Sequence, residues 1–234
     1  MFGGFYKSVF RINGGAGRSV TYVQGGKLLG GNSGFAHIGS YREIDGKVHA
    51  EITSRRHTED PKYPSLLGSP VSTIEATGQP DGATYHFVGS SPQLPNAAIH
   101  AVMTPLEEHA LPPPGIVGDG GIGNGLYSIH LKMLDGLVGG FSGVMLLNDG
   151  RILGGDAFFY YLGSYASANG RWRGEILNQE HTPAEGEHPI FGGHDVGIGF
   201  AGTCGQEGAE LEGTALAGKR SVRFQAVLKL MSKA

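Results

Sequence analysis

The titratable side chains that recur in this 234-residue chain are Glu51 and His57 in the first half and Glu175 and His181 in the second. A spacing of six along an extended segment brings both side chains to one face of a strand, the arrangement that general acid and base catalysis would need. Such a pair also requires a nucleophile or a substrate anchor, and no Gly-x-Ser-x-Gly elbow supplies one. His181, His188 and His194, with Glu180, Glu185, Glu187 and Asp195 around them, raise metal binding. Pro183, Gly186 and Pro189 make that stretch a loop, and it lacks the short two-ligand spacings of zinc motifs, so neither a metal nor a cofactor is expected. Cys204 sits in a Gly-rich turn with no basic activator near it in sequence and reads as an inert thiol. Gly118-Asp119-Gly120-Gly121-Ile122-Gly123 fits the dinucleotide fingerprint, but it follows a proline run and leads into the alternating Leu126-Tyr127-Ser128-Ile129. No helix N-terminus is there to face a pyrophosphate. Enzyme activity is therefore not expected, and a metal-dependent or acid/base hydrolase using Glu175 and His181 is the minority reading.

The aromatic run Phe158-Phe159-Tyr160-Tyr161 with Tyr165, mirrored sparsely by Phe35 and Tyr41, is the better candidate for recognition. Phe159, Tyr161 and Tyr165 share one strand parity and, pointing inward, would line a lumen able to hold a small apolar ligand. Phe158 and Tyr160 then point outward, towards a domain contact, a partner groove or a covering loop.

The elements that must position these residues come in two sets. Residues 26–58 realign on 150–182 at a constant offset of 124, with thirteen identities that include Gly30/Gly154, Gly39/Gly163, Tyr41/Tyr165 and His57/His181. The offset continues to Ile74/Ile198 and Gly78/Gly202. A period this long, occurring twice, marks duplication of a whole domain rather than a solenoid. The boundaries follow: a first domain over 1–110, a linker over 111–124 with three successive prolines and five glycines, and a second domain over 125–234. Within each copy the dominant apolar period is two, as in Val222, Phe224, Ala226, Leu228 and Leu230. In the second copy strands are expected near 126–133, 141–147, 151–153, 157–165, 171–178, 196–202 and 209–215 as well. Gly25-Gly26, Asp45-Gly46, Asp149-Gly150 and Asn169-Gly170 mark tight hairpins between strands. Gly30-Gly31 and Gly154-Gly155 are expected at a bulge or a sharp bend. About eight strands per copy without a long amphipathic helix predicts an all-β chain of two small antiparallel barrels.

Composition narrows the function. Residues 1–110 hold nine Lys/Arg and nine Asp/Glu, and residues 111–234 hold nine and twelve, so neither half is basic and direct nucleic-acid binding is not expected. The first twenty residues lack the basic segment and apolar run of a secretory signal, no 18 consecutive residues are apolar, and one cysteine forms no internal bridge. A cytoplasmic location without membrane attachment is the resulting expectation.

Gly125-Leu126-Tyr127-Ser128-Ile129, Gly143, Gly150-Arg151-Ile152-Leu153-Gly154-Gly155-Asp156 and Tyr161-Leu162-Gly163 together resemble the opening half of the GrlR family, negative regulators of type III secretion gene expression. Phe5-Tyr6-Lys7-Ser8-Val9, Gly26 to Asn32 and His37-Ile38-Gly39 form a weaker version in the first copy. The resemblance implies lipocalin-like barrels that act without catalysis by binding a protein partner, a transcriptional activator. Since the family's barrel self-associates, a tandem chain would be an intrachain pseudo-dimer. The family's partner-binding acidic loop corresponds to Glu43-Ile44-Asp45-Gly46, which makes Glu43 and Asp45 the partner-binding residues; the second copy reads Ser167-Ala168-Asn169-Gly170 instead.

Overall fold

The computed structural model describes residues 1–106, 113–134, 140–183, 191, 195–217 and 219–234. They fall into two units, Met1–Glu107 and Glu108–Ala234. Each is a closed antiparallel barrel of eight strands. The first comprises β1 (Gly4–Ile12), β2 (Gly15–Gln24), β3 (Lys27–Gly31), β4 (Phe35–Ile44), β5 (Lys47–Arg56), β6 (Val71–Asp81), β7 (Thr84–Ser90) and β8 (Ile99–Pro105). The second comprises β9 (Gly125–Met133), β10 (Gly140–Asn148), β11 (Arg151–Gly155), β12 (Phe159–Ala168), β13 (Arg171–Glu180), β14 (Asp195–Cys204), β15 (Gly208–Ala217) and β16 (Arg220–Lys233). Closure pairs β1 with β8 and β9 with β16, which leaves neither sheet a free edge.

The duplication is visible in the ladders themselves. Every pairing from β2/β3 to β6/β7 except Asp81 with Thr84 reappears 124 residues later in β10/β11 to β14/β15: Gly30 faces His37 as Gly154 faces Tyr161, and Ser54 faces Ser72 as Asn178 faces Val196. Hairpin chemistry fixes that register. Asn13-Gly14, Gly25-Gly26, Asp45-Gly46, Asp149-Gly150 and Asn169-Gly170 all carry positive φ at both positions, the pair of dihedrals a two-residue type I′ turn demands.

Gly30 and Gly154 are not at bulges. The ladders run through them without a break, and the only register shift among the described pairings is at Leu230/Ser232 in β16. These glycines point into the barrels, where the neighbouring strand crosses so closely that its backbone fills the space a Cβ would need.

Apolar layers close one end of each barrel. In the first, Phe2 is 1% exposed and packs with Tyr6, Val23, Val48, Tyr85 and Phe87. In the second, Ile122 joins Tyr127, Leu147, Tyr165 and Trp172. The Pro/Gly segment expected to link the domains thus packs against the second barrel over its described part, 113–124. Gly115 donates to Gly150 O and Gly118 to Ser167 O, while Ser167 donates to Ile116 O. Exposed glycine amides in such a segment need acceptors, and the edge near the hairpins provides them.

Candidate functional site

The site builds from the inward positions of the second barrel. Cross-strand partners share a face, so the pairings that carry Ile129 to Gly143, Gly154 to Tyr161 and Ile176 to Ile198 define one lumen-facing set. Phe159, Tyr161 and Tyr165 all belong to it. Phe159 and Tyr161 border a cavity of about 60 Å³, whose wall also includes Ile129, Met145, Ile176 and Phe200. Tyr165 lies deeper, in the packed layer beside Trp172 with ring centroids 6.2 Å apart. Tyr160 faces outward and is nonetheless buried.

Among the described residues one carboxyl reaches the cavity. Asp156, in the connection between β11 and β12, accepts hydrogen bonds from the Phe158 and Phe159 amides at 2.8 and 2.9 Å through Oδ1, and from the Tyr161 hydroxyl at 2.7 Å through Oδ2. Burial pushes its carboxyl above the ordinary carboxylate value, against the pull of those three donors. Because the folded state then holds the proton more firmly than the unfolded chain, stability contributed here is highest in acid and falls as pH rises through the folded value. Asn32 is the counterpart in the first barrel, accepting the Gly34 and Phe35 amides through Oδ1 and donating Nδ2 to Arg18 O. Asp156→Asn is therefore expected to keep the turn, to be at least as stable as the wild type at neutral pH, and to lose this component of pH dependence. Urea midpoints measured in acid and at neutral pH check it; an Asn variant with the wild-type pH profile would refute the assignment.

The duplicated histidines sit at the same corner. His57 lies 3.0 Å from Asn32 O through Nε2 and 2.8 Å from the Thr58 hydroxyl through Nδ1; His181 makes the corresponding approaches to Asp156 O and to Thr182. Glu51 and Glu175 instead occupy outward, exposed positions of β5 and β13. Glu175 thus stands outside the barrel wall while His181 braces the turn at its mouth, which does not give the shared face expected of an acid/base pair. His188, His194, Glu185 and Glu187 lie outside the described residues. Among the described residues no three His, Cys, Asp or Glu side chains converge as a metal set. Burial raises the Cys204 thiol above its ordinary value, which lowers the thiolate fraction.

Glu43 is engaged within its own barrel. Its Oε1 accepts the Phe2 amide at 3.0 Å, and the Tyr41 hydroxyl donates to Phe2 O at 2.9 Å, so the two side chains hold Phe2 in the barrel floor. Ser167, at the repeat position, does the same for Ile122: its Oγ accepts the Ile122 amide at 3.3 Å. The acidic residue of one copy and the serine of the other are thus alternative acceptors for one structural task. Asp45 is exposed and holds the positive-φ position of its turn at 51°.

No family model matches the chain and no curated protein matches it. A solved structure from Bacteroides fragilis, described as "a putative outer membrane protein", aligns over 97% of this chain and 96% of that chain at 9% identity with a TM-score of 0.26. At that score the likeness carries no argument about fold or function. Among the described residues no helix is long and apolar enough to cross a membrane.

Proposed function

We propose that the chain is a non-enzymatic binding protein whose second barrel admits a small apolar ligand, or the slender apolar end of a larger one, into its lumen. The cavity bordered by Phe159 and Tyr161 supports this reading most directly. Its roughly 60 Å³ exceeds the 10–15 Å³ or so that one water needs, while its largely apolar wall offers water few partners. It is smaller than an engineered apolar cavity of about 150 Å³ that takes benzene, so a short chain suits it better than a ring. Phe191, whose ring centroid is 5.7 Å from that of Phe224, borders the same space, and displacing it would enlarge the entry.

Trp172 is the sole tryptophan and lies 4.6 Å, centroid to centroid, from the cavity-lining Phe200. Titration with n-butanol is expected to change its emission saturably. The change disappears in Ile129→Phe, which fills the cavity. A wild-type emission that stays flat contradicts the proposal.

The outward positions of β13 to β16 include exposed Arg171, Arg173, Glu175, Glu210, Glu212 and Lys229. That is the inverse of the apolar band a membrane barrel presents, and it supports an aqueous setting, of which the cytoplasm is the one we propose. Capture of a transcriptional activator through Glu43 and Asp45, as the GrlR resemblance implies, is the weaker proposal, because Glu43 is engaged by the Phe2 amide and the second copy has Ser167 in its place.

A further inference from the structure

The first barrel's lumen is built of different material. Its strand number and its matching ladders give it the same bore as the second barrel, yet several inward side chains midway along it are smaller, Phe10 and Phe87 in place of Leu131 and Leu211 being the larger exceptions. Ser8 stands where the second barrel has Ile129, Thr21 where it has Met145, Ser54 for Asn178, Ser72 for Val196 and Ala76 for Phe200. At one end Leu66, Leu67 and Leu94 from the loops pack with Ile12 and Ile99; at the other lies the Phe2 layer. Between these caps the inward-facing His37, Ile52, Ile74, Ala76 and Ala101 are only half-buried. An inward side chain that keeps accessible surface faces unfilled space, which close packing elsewhere in protein interiors makes notable.

Two polar atoms of this lumen lack partners. Ser72 is 2% exposed and its Oγ makes no hydrogen bond; His37 Nε2 is likewise buried without one. His37, Ser54 and Ser72 are successive cross-strand neighbours, and Ser8 faces Ser19 directly, so the groups form a continuous belt. Burial, with repulsion from His57 adding to it, lowers His37 to about 4, so the ring is neutral near pH 7 and offers one donor and one acceptor. The inward charged side chains flanking the belt are committed elsewhere: Glu43 to the Phe2 amide and Arg56 to the Thr58 and Tyr63 carbonyls.

We propose that the lumen of the first barrel is a second binding site, for a small uncharged molecule rich in hydroxyl groups, held by the hydroxyls of Ser8, Ser19, Thr21, Ser54 and Ser72 and by the His37 ring. An uncharged belt gives an ion no counter-charge, whereas hydroxyls and a neutral imidazole supply both donors and acceptors to a polyol. The half-buried Ile52, Ile74 and Ala101 give the carbon skeleton an apolar wall. This site is independent of the second barrel's cavity and stands or falls separately from it.

The test is titration of the full chain, with histidine ring nitrogens labelled, against glycerol, erythritol and glucose, followed by a crystal structure of the protein soaked in the same compounds. The expected result is a saturable shift of the His37 nitrogens with at least one of them, and that molecule in density along the belt. Ser72→Val, which installs the second barrel's residue, should weaken it by about tenfold while Trp172 emission stays unchanged. Linear, unsaturated responses to all three compounds overturn the proposal, as does a belt occupied by ordered water alone.

Discussion

Gly154→Ala is expected to destabilise the second barrel by about 3 kcal/mol, the upper end of the range for overpacking, while Gly197→Ala, on β14 of the same barrel, is expected to be neutral or stabilising by a few tenths. The two glycines look alike in sequence. At Gly154 a Cβ would collide with Val144 O and lie 3.0 Å from Met145 Cα, both backbone atoms that cannot swing aside. At Gly197 nothing lies within 4 Å and φ is not positive, so alanine only restricts the unfolded chain. Gly30 repeats the Gly154 situation in the first barrel, where a Cβ would meet Val20 O and lie 2.7 Å from Thr21 Cα. Chemical denaturation of the two variants side by side reads the contrast. Equal losses at Gly154 and Gly197 would mean that the inward glycines are not close-approach sites.

Phe2→Ala should cost about 3–5 kcal/mol, the range for a buried phenylalanine. Its ring centroid lies 5.3 Å from that of Tyr6, 5.1 Å from Tyr41, 4.6 Å from Tyr85 and 5.7 Å from Phe87. Its amide and carbonyl are both held, by Glu43 and Tyr41. The residue is thus tied at three points, ring, amide and carbonyl. Glu43→Gln retains an acceptor for the Phe2 amide and is expected to lose far less than Phe2→Ala. Unfolding midpoints compare them, and a Phe2→Ala variant as stable as the wild type would show that the floor of the first barrel forms without this ring.

The strands were legible because their signal is local. Alternation in Val222 to Leu230, and dipeptides such as Asp45-Gly46 and Asn169-Gly170, state both the extended backbone and the turn dihedrals residue by residue. The 124-residue repeat then supplied the domain count, and the repeated ladders carry the same offset. Parity also placed Phe159, Tyr161 and Tyr165 on one face, but it could not place Tyr165 below the cavity, since depth along a barrel depends on tilt and on what caps each end. The floor residues were hidden for a related reason. Phe2 and Ile122 stand alone among glycines, with no period to mark them, and the acceptor that holds each lies about forty residues away, at Glu43 and Ser167. Glu43, read from the family resemblance as an interaction residue, is exposed and also accepts the Phe2 amide, a role that its neighbours in sequence do not announce. The smaller residues of the first lumen were each visible in the sequence. Their common location emerges only when Ser8, Thr21, Ser54 and Ser72, spread over four strands, are turned to one lumen by closure.

A functional second lumen requires space that is empty of protein and hospitable to apolar matter. Diffraction from crystals pressurised with xenon measures that property without assuming a ligand. The account predicts a xenon peak among Ile129, Met145, Ile176 and Phe200 in the wild type, absent in Ile129→Phe. A lumen that takes up no xenon, or one in which ordered water fills the space, would contradict it.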